Sequence, residues 1–165
     1  MRVFGVDPGS DRTGYGCIET DGSRHQLIAC GAIQTSPRAT FPEKLLTIYQ
    51  SLSRLLAEHR PDTVAVESVF YAANVRSALK LGHARGVVLL AAQRAGVQVV
   101  EFKPSQIKQT VTGSGAAGKA QVGQMIALLL RLDRIPKPDD VADALALAYT
   151  QAVIGQTLAQ IQEAV

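Results

Sequence analysis

The stretch RVFGVDPGSDRTGYGCIET, residues Arg2–Thr20, decides the fold of this chain. Its apolar start ends at an aspartate, which predicts a short buried strand over Arg2–Asp7. Gly14–Thr20 is predicted as a second strand and His25–Ile33 as a third. Asp21 and Gly22 lie between these two strands and are typical of a tight hairpin turn. The chain therefore begins with three antiparallel strands that form one side of a sheet.

After this meander, predicted helices and strands alternate. In chain order we expect a helix from Phe41 that Pro61 stops, a strand Thr63–Glu67, a helix Asn74–Ala95, a strand Val97–Phe102, a short helix opened by Pro104 with Ser105 as its N-cap, a helix Lys119–Leu132, and a last helix from about Asp139 through Tyr149. The order βββαβαβαα, with that short extra helix, predicts an α/β fold whose mixed five-stranded sheet is flanked by helices. We expect residues 1–150 to form a single domain. We expect residues 151–165 to be a C-terminal tail that ends the last helix or frays.

Composition narrows the class of protein. A chain of 165 residues with 47% apolar residues can bury a core without disulfides or a structural metal. Cys17 and Cys30 are too few and too far apart for a zinc cluster, and we expect free thiols. The first apolar run stops at Asp7, too soon for a signal peptide, and no run reaches the roughly 18 apolar residues of a membrane span. The expected location is therefore cytoplasmic.

The charges are unevenly distributed along the chain. The net charge is only +3, but residues 70–137 contain ten basic and two acidic side chains. The remainder contains seven basic and twelve acidic side chains. A basic middle in an otherwise acidic chain is compatible with a polyanionic partner and equally with solvated helix surfaces.

Carboxylates follow two core strands, and two more share one helix face. Asp7 ends the first strand, Glu67 ends the fourth, and Asp140 and Asp143 are three residues apart on the last helix. If the four converge, their mutual repulsion raises their pKa values unless cations neutralise them. Oxygen-only ligands suit Mg²⁺ or Mn²⁺, and a pair of such ions supports phosphodiester hydrolysis. The pattern favours a metal-dependent hydrolytic site without a histidine or serine nucleophile.

Each carboxylate also has a structural interpretation. Asp140 could cap the last helix, with Asp143 favourable in its first turn, and for this pair alone capping is the better explanation. Asp7 could bond its own backbone in the Asp-Pro-Gly turn, and Glu67 could pair with an arginine. The four positions taken together favour the metal site.

The motifs, in their order, resemble the RuvC family of Holliday junction resolvases. The matching segments, which cover the chain from Met1 to about Tyr149, are Val6–Ser10 (VDPGS), Arg12–Gly16 (RTGYG), Glu67–Phe70 (ESVF), Ser77–Gly82 (SALKLG), Ala84–Gly86 (ARG), Val111–Gly113 (VTG) and Asp140–Ala146 (DVADALA). The resemblance implies a ribonuclease-H-like fold and a homodimer. It implies symmetric nicking of two opposed strands of a four-way DNA junction in recombination and DNA repair. It further implies a branch-migration helicase partner.

The same resemblance implies the site residues. Asp7, Glu67, Asp140 and Asp143 are expected to be the catalytic acids, holding Mg²⁺, two ions per active site, with Mn²⁺ as a substitute. The side chains expected to contact DNA are Phe70, Arg76, Lys80, Lys108 and Lys119. Phe70 matches an aromatic near the junction centre, whereas the role of Tyr71 stays open. Gly82 and Gly86 remove side chains from one helix face, which allows either the protein's own sheet or a second subunit to approach.

Other functions fit parts of the sequence. Gly113–Ala120 (GSGAAGKA) nearly matches a Walker A loop, but Ala120 stands where that motif needs serine or threonine, and a helix rather than a strand precedes it. An ATP-binding domain of the actin type would need a second lobe that 165 residues do not supply. A smaller RNA-processing nuclease of the same fold and a non-catalytic junction-binding module remain alternatives, which cleavage experiments distinguish.

Overall fold

A computed structural model describes residues 1–68 and 75–163, with the backbone alone over 156–163. Its strands are β1 Arg2–Asp7, β2 Arg12–Thr20, β3 His25–Gln34, β4 Thr63–Glu67 and β5 Gln98–Phe102. They form one sheet in the order β3-β2-β1-β4-β5, in which β1, β2 and β3 pair antiparallel and β4 and β5 extend the sheet parallel to β1. The predicted mixed five-stranded sheet is confirmed.

Helices cover both faces of this sheet. They are α1 Phe41–His59, α2 Val75–Arg94, α3 Pro104–Thr112, α4 Lys119–Leu129 and α5 Asp139–Glu163. Successive strand residues point to opposite faces, so Phe4 packs with the helices α1 and α2 whereas Val3 packs with α3, α4 and α5. Within the described ranges, no helix is long and apolar enough to cross a membrane. Cys17 and Cys30 are free thiols, as expected.

Two details differ from the prediction. The N-cap of α3 is Lys103 rather than Ser105, because Pro104 occupies the first helical position, where its missing N–H costs nothing. The helix α4 ends at Leu129, three residues early. Arg131 adopts a left-handed φ of 55°, and the Leu132 N–H turns back to the Ala127 carbonyl oxygen at 2.8 Å.

Small residues let α5 lie directly on β1 and β2. A Cβ atom added to Gly5 would stand 1.9 Å from the Ala144 carbonyl oxygen, and one added to Gly14 would stand 2.0 Å from the Asp140 carbonyl oxygen. No side chain larger than hydrogen fits at these contacts. The first turn of α5 is thereby held beside the end of β1, where the candidate site lies.

Candidate active site

Asp7 and Glu67 lie at the same edge of the sheet. Asp7 is the last residue of β1 and Glu67 is the last residue of β4. These neighbouring strands are parallel, with Val6 opposite Val66, so their carboxyl ends meet side by side. Such an edge is the usual ligand site of a sheet with parallel strands.

The helix α5 brings Asp140 and Asp143 to this edge. Burial and, after it, the nearby carboxylates of Asp143, Asp140 and Glu67 in that order together raise the pKa of Asp7 to about 7. Burial also raises the pKa of Glu67, with Asp143 as the next cause. The structure therefore brings together all four acids that the sequence singled out, with an excess of negative charge among them.

Two lysines expected to contact DNA lie at the same place. Lys108, in the middle of α3, and Lys119, at the start of α4, both counteract the rise in the pKa of Glu67. The Lys119 Nζ atom is 2.7 Å from an Asp143 carboxylate oxygen, and this contact raises the pKa of Lys119. Cations thus border the acidic cluster on the side of α3 and α4.

Basic side chains hold the two α5 carboxylates. Asp140 pairs with the Arg12 guanidinium, its Oδ2 lying 3.3 Å from Arg12 Nη1, and Asp143 pairs with Lys119. Over residues 1–68 and 75–155, no three His, Cys, Asp or Glu side chains stand in a group that could hold a metal ion as they are placed. One carboxylate oxygen of Asp140 and one of Asp143 are turned toward these two cations.

The structural interpretations of the acids are met in part. Asp140 lies in the first turn of α5, where a carboxylate is favourable, rather than at its N-cap, and its carboxylate reaches across to Arg12. Arg85 pairs with Glu101 at 2.5 Å and donates from Nε to the Glu67 carbonyl oxygen at 3.3 Å, leaving the Glu67 carboxylate to the cluster. The turn after Asp7 is held by Thr13, whose hydroxyl donates to the Gly9 carbonyl oxygen at 2.8 Å.

The donor set fits a hard divalent cation. Four carboxylates supply oxygen ligands only, which suit Mg²⁺ or Mn²⁺ better than zinc. The pKa of Asp7 is raised by burial and then by the three neighbouring carboxylates, and Lys119 lowers it only in part. A cation among these oxygens would remove that repulsion.

The other residues predicted to contact DNA are distributed around the site. Arg76 and Lys80 lie on α2, and Lys80 lowers the pKa of Asp11 in the loop after β1. Phe70 and Tyr71 lie outside the described residues. A Cβ atom at Gly82 or Gly86 would meet nothing within 4 Å, so these glycines do not pack against the protein's own sheet.

Three residues that contribute to the site were not apparent from the sequence. Arg12 holds Asp140, Arg85 supports the Glu67 backbone, and Gly14 lets Asp140 approach β2. The Gly14-Tyr15-Gly16 repeat on a buried strand was the available signal for the last of these, because glycine in a strand indicates close approach of another backbone.

Known proteins resemble this chain over nearly its whole length. The family model described as crossover junction endodeoxyribonuclease RuvC matches residues 3–151. The crossover junction endodeoxyribonuclease RuvC of Heliobacterium modesticaldum is 52% identical over 148 residues, covering 90% of this chain and 91% of that protein. The one from Alkaliphilus oremlandii is 47% identical and covers 94% of each chain.

Solved structures of Holliday junction resolvases resemble this chain in fold. Thermus thermophilus RuvC in complex with a Holliday junction substrate has a TM-score of 0.90 and 37% identity, covering 95% of this chain and 96% of that one. The yeast mitochondrial Holliday junction resolvase, at 15% identity and a TM-score of 0.67 over 98% of this chain and 80% of that one, shares the fold. These matches confirm the ribonuclease-H-like fold expected from the motifs.

Proposed function

Because the chain belongs to the RuvC family of crossover junction endodeoxyribonucleases, we propose that it resolves four-way DNA junctions by nicking two opposed strands symmetrically in recombination and DNA repair. The observation that carries this proposal is the convergence of four carboxylates from β1, β4 and α5 beside two lysines. The branch-migration helicase partner and the cytoplasmic location expected from the sequence belong to the same proposal.

The four acids would hold the divalent cation. Asp7, Glu67, Asp140 and Asp143 supply the oxygens, and we expect two Mg²⁺ ions, with Mn²⁺ as a substitute. Ions of this kind, when bound, activate water and stabilise the leaving oxygen in phosphodiester hydrolysis. Arg12 and Lys119 must then exchange their carboxylate partners for other anions, and the phosphates of the substrate are such anions.

Lys108 and Lys119 would orient the DNA strand. Both ammonium groups act on the Glu67 carboxylate, so a phosphate placed at the cluster comes within their reach. Lysine acts on phosphate as a mobile point charge rather than as a fixed fork. Two lysines on separate elements can therefore follow the phosphate while it changes geometry during hydrolysis.

A second copy of the chain would cover the exposed face of α2. Val75, Leu79 and Leu90 expose 75%, 59% and 53% of their surface, and Gly82 and Gly86 lie between them. Apolar side chains around two glycines allow close helix approach, and a two-fold dimer would present one active site to each of two opposed strands. This supports the homodimer expected from the family.

Cleavage of a synthetic four-way junction, with and without Mg²⁺, tests the proposal. We expect paired nicks at symmetric positions only with the metal. Asp7→Asn, Glu67→Gln and Asp140→Asn should each abolish nicking yet keep junction binding, because an amide replaces an anionic ligand while phosphate affinity comes from lysine and arginine. A variant that cuts normally at ordinary Mg²⁺ would remove its residue from the site.

Preferential cutting of structured RNA would favour the RNA-processing alternative, and binding without cutting would favour the junction-binding module.

A further inference from the structure

A polar groove opens beside Asp140. Its volume is about 840 Å³, and its lining includes Ser10, Arg12, Thr35, Lys44 and Asp140. Asp140 stands within it, so the groove is continuous with the acidic cluster. Of its other lining residues, Arg12 is the partner of Asp140 in the cluster, and Ser10, Thr35 and Lys44 have no part in the acidic site.

The groove is bordered by two cations whose carboxylate partners are partly or largely exposed. Lys44, itself only 15% exposed, forms a close ion pair with Asp11, whose side chain is 81% exposed. Arg12 pairs with Asp140 at 3.3 Å and is 44% exposed. Lys80 on α2 also acts on Asp11. The Arg12–Asp140 pair is of the exposed kind that contributes about 0–1 kcal/mol, so a phosphate can replace Asp140 at little cost, and the exposed Asp11 side chain can turn from Lys44 into solvent.

The wall that carries these groups is fixed. The Thr35 hydroxyl donates to the Ser10 carbonyl oxygen at 2.9 Å, and the Thr35 N–H donates to the Asp11 carbonyl oxygen at 3.1 Å. Thr13, fully buried, holds Gly9 in the same way at 2.8 Å. The loop between β1 and β2 thus offers a preformed surface and loses little freedom when a ligand binds.

We infer that this groove binds the DNA backbone beside the scissile phosphate, with Arg12 and Lys44 each contacting a flanking phosphate. The inference rests on the proposed function, because occupation of Asp140 by a cation leaves Arg12 without its carboxylate partner. A phosphate then becomes the best available anion for the Arg12 guanidinium, which can donate two hydrogen bonds to its oxygens. Arg12 is on this account a positioning residue whose contact depends on the metal, whereas the Lys44 contact does not.

Binding of a synthetic four-way junction by uncut complexes tests the inference. All variants are made in the Glu67→Gln background, which keeps the Asp7, Asp140 and Asp143 carboxylates for the cation, and dissociation constants are measured in saturating Mg²⁺ and in EDTA over a range of salt concentrations. Arg12→Gln should weaken binding in Mg²⁺ by about tenfold, as for one lost charge-assisted contact. It should lower the salt slope by about 0.9 and have a smaller effect in EDTA. Lys44→Gln should weaken binding in both conditions.

Single methylphosphonate substitutions along the cleaved strand locate the contacts. One neutral phosphate flanking the cleavage point should weaken binding to the reference protein, carrying Glu67→Gln alone, and should have no effect on the protein that also carries Arg12→Gln. Asp11→Asn should act in the opposite direction and tighten binding, because it frees Lys44 and removes a negative charge. An effect of reversed sign cannot come from loss of folding, which thermal melting checks for every variant.

Arg24→Gln is the matched control, because Arg24 is an exposed arginine at the far end of the β2–β3 hairpin. Equal affinities, slopes and phosphate scans for Arg12→Gln, Lys44→Gln and Arg24→Gln would overturn this inference alone, provided that the protein with its native Glu67 cuts the junction. A wild-type protein that neither binds nor cuts the junction would instead overturn the proposed function.

Discussion

Asp7 links the stability of the protein to pH through its raised pKa. The folded state holds the Asp7 proton up to a pKa of about 7, whereas the unfolded chain releases it near the ordinary value of 3.8. The stability that this proton provides is therefore complete below pH 4 and is lost as the pH rises through 7. Each pKa unit corresponds to about 1.4 kcal/mol, so the loss amounts to a few kcal/mol.

We therefore expect Asp7→Asn to stabilise the metal-free protein at pH 8 and not at pH 4, since asparagine has no charge to desolvate. Thermal melting of the wild type and the variant in EDTA at both pH values measures this. Adding Mg²⁺ should stabilise the wild type more than the variant. A variant that melts below the wild type at pH 8 in EDTA would contradict the repulsion that we attribute to the acidic cluster.

Lys108 and Lys119 are expected to serve cleavage more than folding. Lys119→Ala should lower the cleavage rate and reduce the salt slope of junction binding by about one unit, as for one lost phosphate contact. The same should hold for Lys108→Ala. Arg24→Ala, at an exposed position at the far end of the β2–β3 hairpin, serves as the comparison. If the cleavage rate and the salt dependence of junction binding are unchanged, both lysines are ordinary solvated surface charges.

At the residue scale the sequence was informative about acids and less so about their partners. Asp7 and Glu67 could be found because a charge at the end of a buried strand requires compensation. The Arg12–Asp140 pair joins residues 128 positions apart, and only the packing of α5 on β2 brings them together. The residues around Arg12 in the sequence do not predict its contact with Asp140.

At the scale of the elements, the contact between α5 and β2 positions half of the acidic cluster. Gly14→Ala would place a Cβ atom 2.0 Å from the Asp140 carbonyl oxygen, so α5 must shift. Overpacking of this kind costs about 1–3 kcal/mol. We expect a lower melting temperature together with a large loss of cleavage, because Asp140 moves with its backbone.

Gly115→Ala is the control for stability, since a Cβ atom there makes only an ordinary contact, 3.5 Å from the Ser105 carbonyl oxygen. A Gly14→Ala protein that melts and cuts like the wild type would show that the α5 contact tolerates a methyl group. It would also weaken the role given to the strand glycines.

Element types were easier to predict than element ends. Apolar periodicity and turn residues identified the five strands and five helices of the described residues, because those signals are local. The end of α4 depends on the left-handed backbone of Arg131. An arginine in the sequence does not predict that conformation, as a glycine would. The N-cap of α3 was misplaced by two residues because Pro104, not Ser105, fixes where that helix begins.

At the scale of the whole molecule, resolving a junction needs two cuts, and one active site makes one cut at a time. A dimer across a two-fold axis supplies both cuts within one bound complex. The face of α2 around Gly86 is open and flanked by exposed apolar side chains, which fits this requirement.

Gly86→Leu tests the dimer directly. A leucine there meets open space in the single chain, so the monomer should fold and melt normally, whereas two closely packed α2 helices would be forced apart. A cost of about 1–3 kcal/mol would shift a marginal dimer toward monomer. The variant should then nick one strand and release the junction before the second cut. Gln121→Leu adds the same side chain to an exposed position of α4, across the sheet, and should leave paired nicking unchanged. Sedimentation and nick mapping give both readouts, and a wild-type protein that is monomeric at micromolar concentration, both free and on the junction, would exclude the paired-cut mechanism.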